Sequence, residues 1–134
     1  MARGISLNNP CNIRISEAAW VGKIHPSSDP SFEQFSEPEY GIRAACKIFL
    51  DYQKLYDLRT LEALISRWAP SVENNTNAYI LDVANRMKVA STLEIDLTDI
   101  ILLTSFIAAV IWHEEGQQPY ASDLILKAAN EALN

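Results

Sequence analysis

At 134 residues the chain has room for one domain, spanning 1–134, around a single sizeable core. A composition of 49% hydrophobic and 21% charged residues is that of a globular protein, and 17 acidic against 11 basic side chains leave a net charge of −6. That balance argues against a surface holding nucleic acid or anionic membrane through phosphate neutralisation, and leaves a neutral or sugar-like ligand open.

The opening "MARGISLNNP" has no apolar h-region, so no secretory signal is visible, and synthesis in the cytoplasm is expected. The first 38 residues hold four of the six prolines together with "NNPCN" and "HPSSDPS". They read as turns, with short extended pieces at 12–15 ("NIRI") and 31–35 ("SFEQF"), the second turning Phe32 and Phe35 inward. Cys11 and Cys46 are the only cysteines, too few for a disulfide framework and without a CxxC pair, so two free thiols are expected.

From Pro38 the pattern turns helical. "PEYGIRAACKIFLDYQKLY" sets Ile42, Ala45, Ile48, Phe49, Tyr52 and Leu55/Tyr56 on one stripe, with Pro38 suited to a first turn. "TLEALISRWAP" is a shorter helix between a Thr60 N-cap and Pro70. "NNTNAYILDVANRMKV" follows, capped by Asn75 or Thr76, with Tyr79, Ile80, Val83 and Met87 facing in. Thr98 or Asp96 then caps "DIILLTSFIAAVIWHEEG", which is apolar on nearly every side and so should be central and wrapped by the others. Its apolar stretch, Ile100 to Trp112, falls short of the roughly 20 residues of a membrane span. Gly116 suits a left-handed helix end, and "PYASDLILKAANEALN" is a last amphipathic helix. The expected architecture is all-α: about five helices around a central buried one, with a small irregular or hairpin cap at the N-terminus.

Glu114 and Glu115 close the most hydrophobic helix. Carboxylates are common at helix ends, yet the macrodipole disfavours a negative charge in the last turn. Apolar surroundings, the negative helix end and a like-charged neighbour all oppose ionisation and raise a Glu pKa, which suits a general acid working near neutral pH. A protonated His113 beside the pair would oppose that rise. "NNPCNIR" reads first as a proline turn with local Asn caps, and alternatively as a loop offering amides and Arg14 to a polar ligand. "RWAPSVENNTNAY" reads as a helix end with a new N-cap, or as a groove wall of aromatic faces and planar amides. No HExxH, P-loop, GxGxxG or GxSxG occurs, and with only His25 and His113 a histidine-rich metal site is not expected. Neither a metal nor a cofactor is called for.

Taken together, "RGISLNNPCNIR", Trp20–Gly22 with Phe32–Phe35 and "GIRA" at 41–44, "RWAP…ENNTNAYI" and "HEEGQQPY" resemble, in order, a family of small phage virion-associated proteins. Its members begin with an Arg-Gly-Ile-Arg-Asn-Asn-Asn-Pro-Gly-Asn-Ile-Arg-like run and are described as structural or presumed wall-degrading. A more distant resemblance is to glucosaminidases and lytic transglycosylases of the lysozyme superfamily, whose buried helix ends in a catalytic Glu before an Asn-rich loop and a Phe-rich hairpin. Here the helix end follows the loop, so the resemblance implies a circularly permuted lysozyme-like domain, an arrangement allowed when termini lie close.

That resemblance implies cleavage of peptidoglycan glycan strands, with Glu114 as the catalytic acid. The loop would supply Asn9, Asn12 and Arg14 to the groove. The wall would supply Trp68, Asn75 and Tyr79, and Glu115 and Tyr120 would complete it. Glu115 follows Glu114 by about 100° around a helix, which points to a single-acid scheme. Asp29, Glu33 and Glu73 remain open as second carboxylates. The expected partners are peptidoglycan and other virion proteins, with action in the periplasm or cell wall and no membrane span or nucleic acid. The alternative is a non-catalytic virion structural or wall-binding protein of the same fold, and a toxin-like effector would share the chemistry.

Overall fold

The computed structural model describes residues 2–134. Among them, six helices and one two-stranded sheet follow the chain as α1 (Arg3–Ser6), β1 (Lys23–Ile24), β2 (Gln34–Phe35), α2 (Pro38–Tyr56), α3 (Leu61–Trp68), α4 (Thr76–Met87), α5 (Ile100–Glu115) and α6 (Ser122–Leu133). The five long helices are those expected from the apolar periodicity. The short α1 is additional; four residues carry too little pattern to announce a helix.

Local chemistry sets the helix ends. Pro38 occupies the first turn of α2, and Asp57 ends it in the left-handed region at φ 53°. The hydroxyl of Thr60 accepts from the Ala63 N–H and the Asn75 amide oxygen from the Ala78 N–H, satisfying first-turn donors of α3 and α4. For α5 the cap is Asp99, whose Oδ1 accepts from Ile101 N at 2.9 Å and Leu102 N at 3.3 Å. Neither Thr98 nor Asp96 caps it. Thr98 donates its hydroxyl and amide to Asp96 Oδ1, so these two residues spend each other in the preceding turn.

The core lies between α2, α4, α5 and α6 and takes in Leu61, Leu64 and Ile65 of α3. Leu103, Phe106, Ile107, Val110 and Ile111 of α5 are fully buried against all three neighbours. The wrapping is incomplete, because Ile101 is 76% exposed and Trp112 37%. Arg86 of α4 covers the Trp112 ring, its Cζ 4.4 Å from the centroid. Gly41, Ala44 and Ala45 of α2 and Ala128, Ala129 and Ala132 of α6 are all buried, and this pair of helices is the most extensively packed. Small side chains allow that close approach. The α2 stripe runs inward through Ile42, Ala45 and Phe49, then leaves the core, with Leu55 64% and Tyr56 50% exposed.

The N-terminal cap is a loop with a hairpin. β1 and β2 pair antiparallel with Lys23 opposite Phe35 and Ile24 opposite Gln34, and an isolated bridge joins Arg14 to Phe32. Phe32 and Phe35 are both buried, as the "SFEQF" spacing implies. Gly22, at φ 77°, closes the turn before β1, where a Cβ would strike the Tyr40 ring. Buried amides hold the irregular parts. Gln53 donates to the carbonyls of Leu58 and Ile95 and accepts from Leu97 N, tying the α2–α3 and α4–α5 connections together. None of the helices described is long and apolar enough to cross a membrane.

Candidate functional site

Three remote segments meet at the C-terminal end of α5. Gly116, at φ 69°, stops the helix and donates its N–H to Trp112 O at 2.8 Å, leaving Glu114 in the last turn. Glu114 Oε1 accepts from Asn12 Nδ2 at 2.8 Å, and Oε2 from the Tyr79 hydroxyl at 2.7 Å. The first contact spans 102 residues of sequence and the second 35, so the carboxylate is oriented by the N-terminal loop and by α4 together. Burial, then the Glu114 charge, hold the Tyr79 phenol well above its usual range, so it stays a donor near neutral pH.

The loop that delivers Asn12 is built around Asn9. This side chain is wholly buried, donating to the carbonyls of Ile13 and Glu33 and accepting from Ile13 N, each at 2.9 Å. Asn8 and Asn12 take the left-handed region at φ 55° and 57°, conformations Asn tolerates, so the chain reverses twice within a few residues. Gly41 lets α2 lie directly beneath the loop, where a Cβ would strike the Asn8 carbonyl. Cys11 itself needs no left-handed backbone, because Asn8 and Asn12 supply the positive φ values, and its thiol is buried.

Glu114 opens onto a cleft of ≈ 430 Å³ between the cap and the helices, lined among others by Asn12, Arg14, Phe32, Tyr52, Trp68 and Glu73. It also lines a second hollow of ≈ 200 Å³ with Asn74, Asn75, Ala78, Tyr79 and His113. Glu114 and Asn74 belong to both, so the carboxylate stands where two lobes of a groove meet. Trp68 packs on Phe49, ring centroids 4.5 Å apart. Of the expected site residues, Glu114, Asn12, Arg14, Trp68, Asn75 and Tyr79 come together here. Arg3, Phe32, Ile48 and Tyr52 join them without a sequence signal beyond the "RGI" and "FEQF" stretches that hold two of them.

Asn9, Glu115 and Tyr120 are placed elsewhere. Asn9 spends its amide on backbone and has nothing left for a ligand. Glu115 lines neither hollow, and its Oε2 is buried without a partner against Gly4. The Tyr120 hydroxyl is likewise buried and unpartnered. Burial, then the Glu114 charge, push the Glu115 carboxyl up to about 7 against the opposing pull of Arg3. Burial and then Glu115 push Tyr120 up to about 12. His113 does not pair with the carboxylates; its Nδ1 lies 2.7 Å from Asp82 Oδ2 and its ring stacks on Tyr79 at 3.8 Å.

Among the three open second carboxylates, Glu73 alone lines the cleft. Asp29 Oδ1 accepts from Ser31 N and Phe32 N, and Glu33 is buried in an ion pair with Lys23 at 3.0 Å. Cys11 and Cys46 are free and buried, and burial raises both thiols, Cys46 to about 12, which disfavours a thiolate nucleophile.

No family model matches the chain. It is 38% identical over 129 residues to Protein P5 of Pseudoalteromonas phage PM2, an alignment covering 94% of this chain and 79% of the phage protein. The chain belongs to the family of phage protein P5. Phage origin, expected from the order of its motifs, thus stands, and the groove around Glu114 is a feature of a P5-family protein.

Proposed function

We propose that this P5-family protein cleaves the glycan strands of peptidoglycan from a single lysozyme-like domain, as a muralytic glycosidase or lytic transglycosylase. The observation that carries the reading is the position of Glu114. It ends a buried helix at the junction of two groove lobes, held by Asn12 and Tyr79 from opposite sides. A polymer lying through both lobes would pass its linkage over that carboxyl. Trp68 and Tyr52 offer the aromatic faces, and Asn74 and Asn75 the amides, that sugars use.

In this reading Glu114 protonates the glycosidic oxygen as oxocarbenium character develops on the sugar. Glu115 retains a carboxyl proton beside it up to about pH 7. Glu73, across the cleft, is the second carboxylate available to the reaction. The test is zymography in peptidoglycan-embedded gels with the wild-type chain and Glu114→Gln. Clearing by the wild type that disappears in the variant supports the reading; clearing that persists in the variant, or none from the wild type, overturns it.

A second reading has its own support. Both Glu114 oxygens already accept hydrogen bonds from the protein, an arrangement equally suited to a rigid adhesive groove. The chain would then be a virion structural or wall-binding protein, and would sediment with purified sacculi while leaving them intact. Either role is exercised at the periplasm or cell wall, with the chain carried as a virion component among other virion proteins.

A further inference from the structure

The two walls of the main cleft carry opposite charge. Arg3 and Arg14 come from the N-terminal cap on one side, Glu73 from the turn between α3 and α4 and Glu114 from the end of α5 on the other. In a chain with a net charge of −6, two arginines on one face of a groove depart from the general field.

Both guanidiniums converge on one ring. Arg3 Cζ lies 4.0 Å and Arg14 Cζ 5.1 Å from the Phe32 centroid, and Phe32 is only 8% exposed beneath them. Stacking occupies the flat face of a guanidinium and leaves its N–H edge free, and that edge is the part that grips a carboxylate through paired hydrogen bonds. Little inside the protein competes for those edges. Among the described residues Arg3 takes part in no salt bridge. The single ion pair of Arg14, to Glu73, is 4.0 Å long with side chains 65% and 61% exposed. A pair so long and so wet contributes little, and an incoming carboxylate displaces it at small cost.

We infer that Arg3 and Arg14, propped on Phe32, form a carboxylate-binding subsite, so that the cleft takes glycan bearing acidic substituents ahead of neutral glycan with the same backbone. This rests on the glycan-strand reading of the cleft and adds its substrate class: β-linked amino sugars whose side arms end in carboxylates, as the lactyl-peptide arms of muramyl residues do. The acidic wall opposite repels such an arm, so the strand is held in one orientation across Glu114.

The experiment is calorimetric titration of the full chain carrying Glu114→Gln, at low salt, with three probes. These are chitopentaose, a glycan-strand fragment of two disaccharide-tetrapeptide units, and that fragment with its carboxyls amidated. The acidic fragment is expected to bind at least tenfold tighter than chitopentaose, and the amidated fragment to lose that advantage. Adding Arg3→Gln and Arg14→Gln should cut the advantage below threefold. Arg14→Gln alone, at an exposed position, should reduce the advantage at least threefold and serves if the double substitution impairs folding. An advantage that survives these substitutions, or equal binding of acidic and neutral probes by the chain with both arginines, overturns the subsite and leaves the glycan reading standing. Failure of every probe to bind overturns both.

Discussion

Glu115→Gln should stabilise the protein at alkaline pH and leave it unchanged at acid pH. The native carboxyl, with Oε2 buried against Gly4 beside Glu114, keeps its proton to about pH 7, whereas in the unfolded chain it ionises near its ordinary 4.5. Between those values the folded state binds more protons than the unfolded one, so stability falls as pH rises through this window and the full cost applies above it. A displacement of that size corresponds to at most ~3 kcal/mol, and water reaching this part-open site reduces it to about 1 kcal/mol. Glutamine keeps the shape and removes the charge. Thermal melts followed by circular dichroism should show a gain of roughly 3–5 °C at pH 8 and none at pH 4.5, since about 1 kcal/mol moves the midpoint of a domain this size by that amount. Titrating groups remote from Glu115 are common to both chains and cancel in the difference, and Tyr120, which Glu115 pushes up to about 12, stays protonated at both pH values. An equal gain at both pH values, or a loss at pH 8, would refute the placement of a half-buried carboxyl with an unpartnered Oε2 there.

Asn9→Ala strands two carbonyls and one amide inside the N-terminal cap and should lower unfolding free energy by about 3 kcal/mol in urea titrations. Unchanged stability would mean that water replaces the amide. Gly4→Ala places a methyl group against the Glu115 carboxyl and within 2.9 Å of both Asn12 Oδ1 and the Asn9 carbonyl. It should cost about 2 kcal/mol and shift the Asn12 amide NMR signals, and retention of both stability and shifts would contradict the packing. Cys11 and Cys46 should resist a thiol reagent such as Ellman's in the native protein and both react in guanidinium; rapid native labelling would contradict their burial.

The chain states much of its architecture locally. Pro38 and the apolar spacing after it mark α2, and Thr60 and Asn75 announce the starts of α3 and α4, because capping and periodicity depend on neighbours a few residues away. Gly116 marks where α5 stops, and so puts Glu114 at a helix end. Other features have no local signature. An Asn that binds a ligand and one that staples backbone look alike in a sequence, and only its three buried hydrogen bonds mark Asn9 as a staple. Gln53 and the Arg3–Phe32–Arg14 cluster were silent for the same reason.

What the residues alone determined is a mainly helical phage protein of the P5 family with a carboxylate pair closing its most apolar helix. Which member of that pair meets the groove was decided only in three dimensions. Consecutive helix positions point about 100° apart, so the two carboxyls necessarily diverge. The cap folding back over the end of α5 gave Glu114 to Asn12 and Tyr79, and gave Glu115 the bare backbone of Gly4. Burial and charge are sums over everything nearby, and here the deciding neighbours lie up to 111 residues away along the chain.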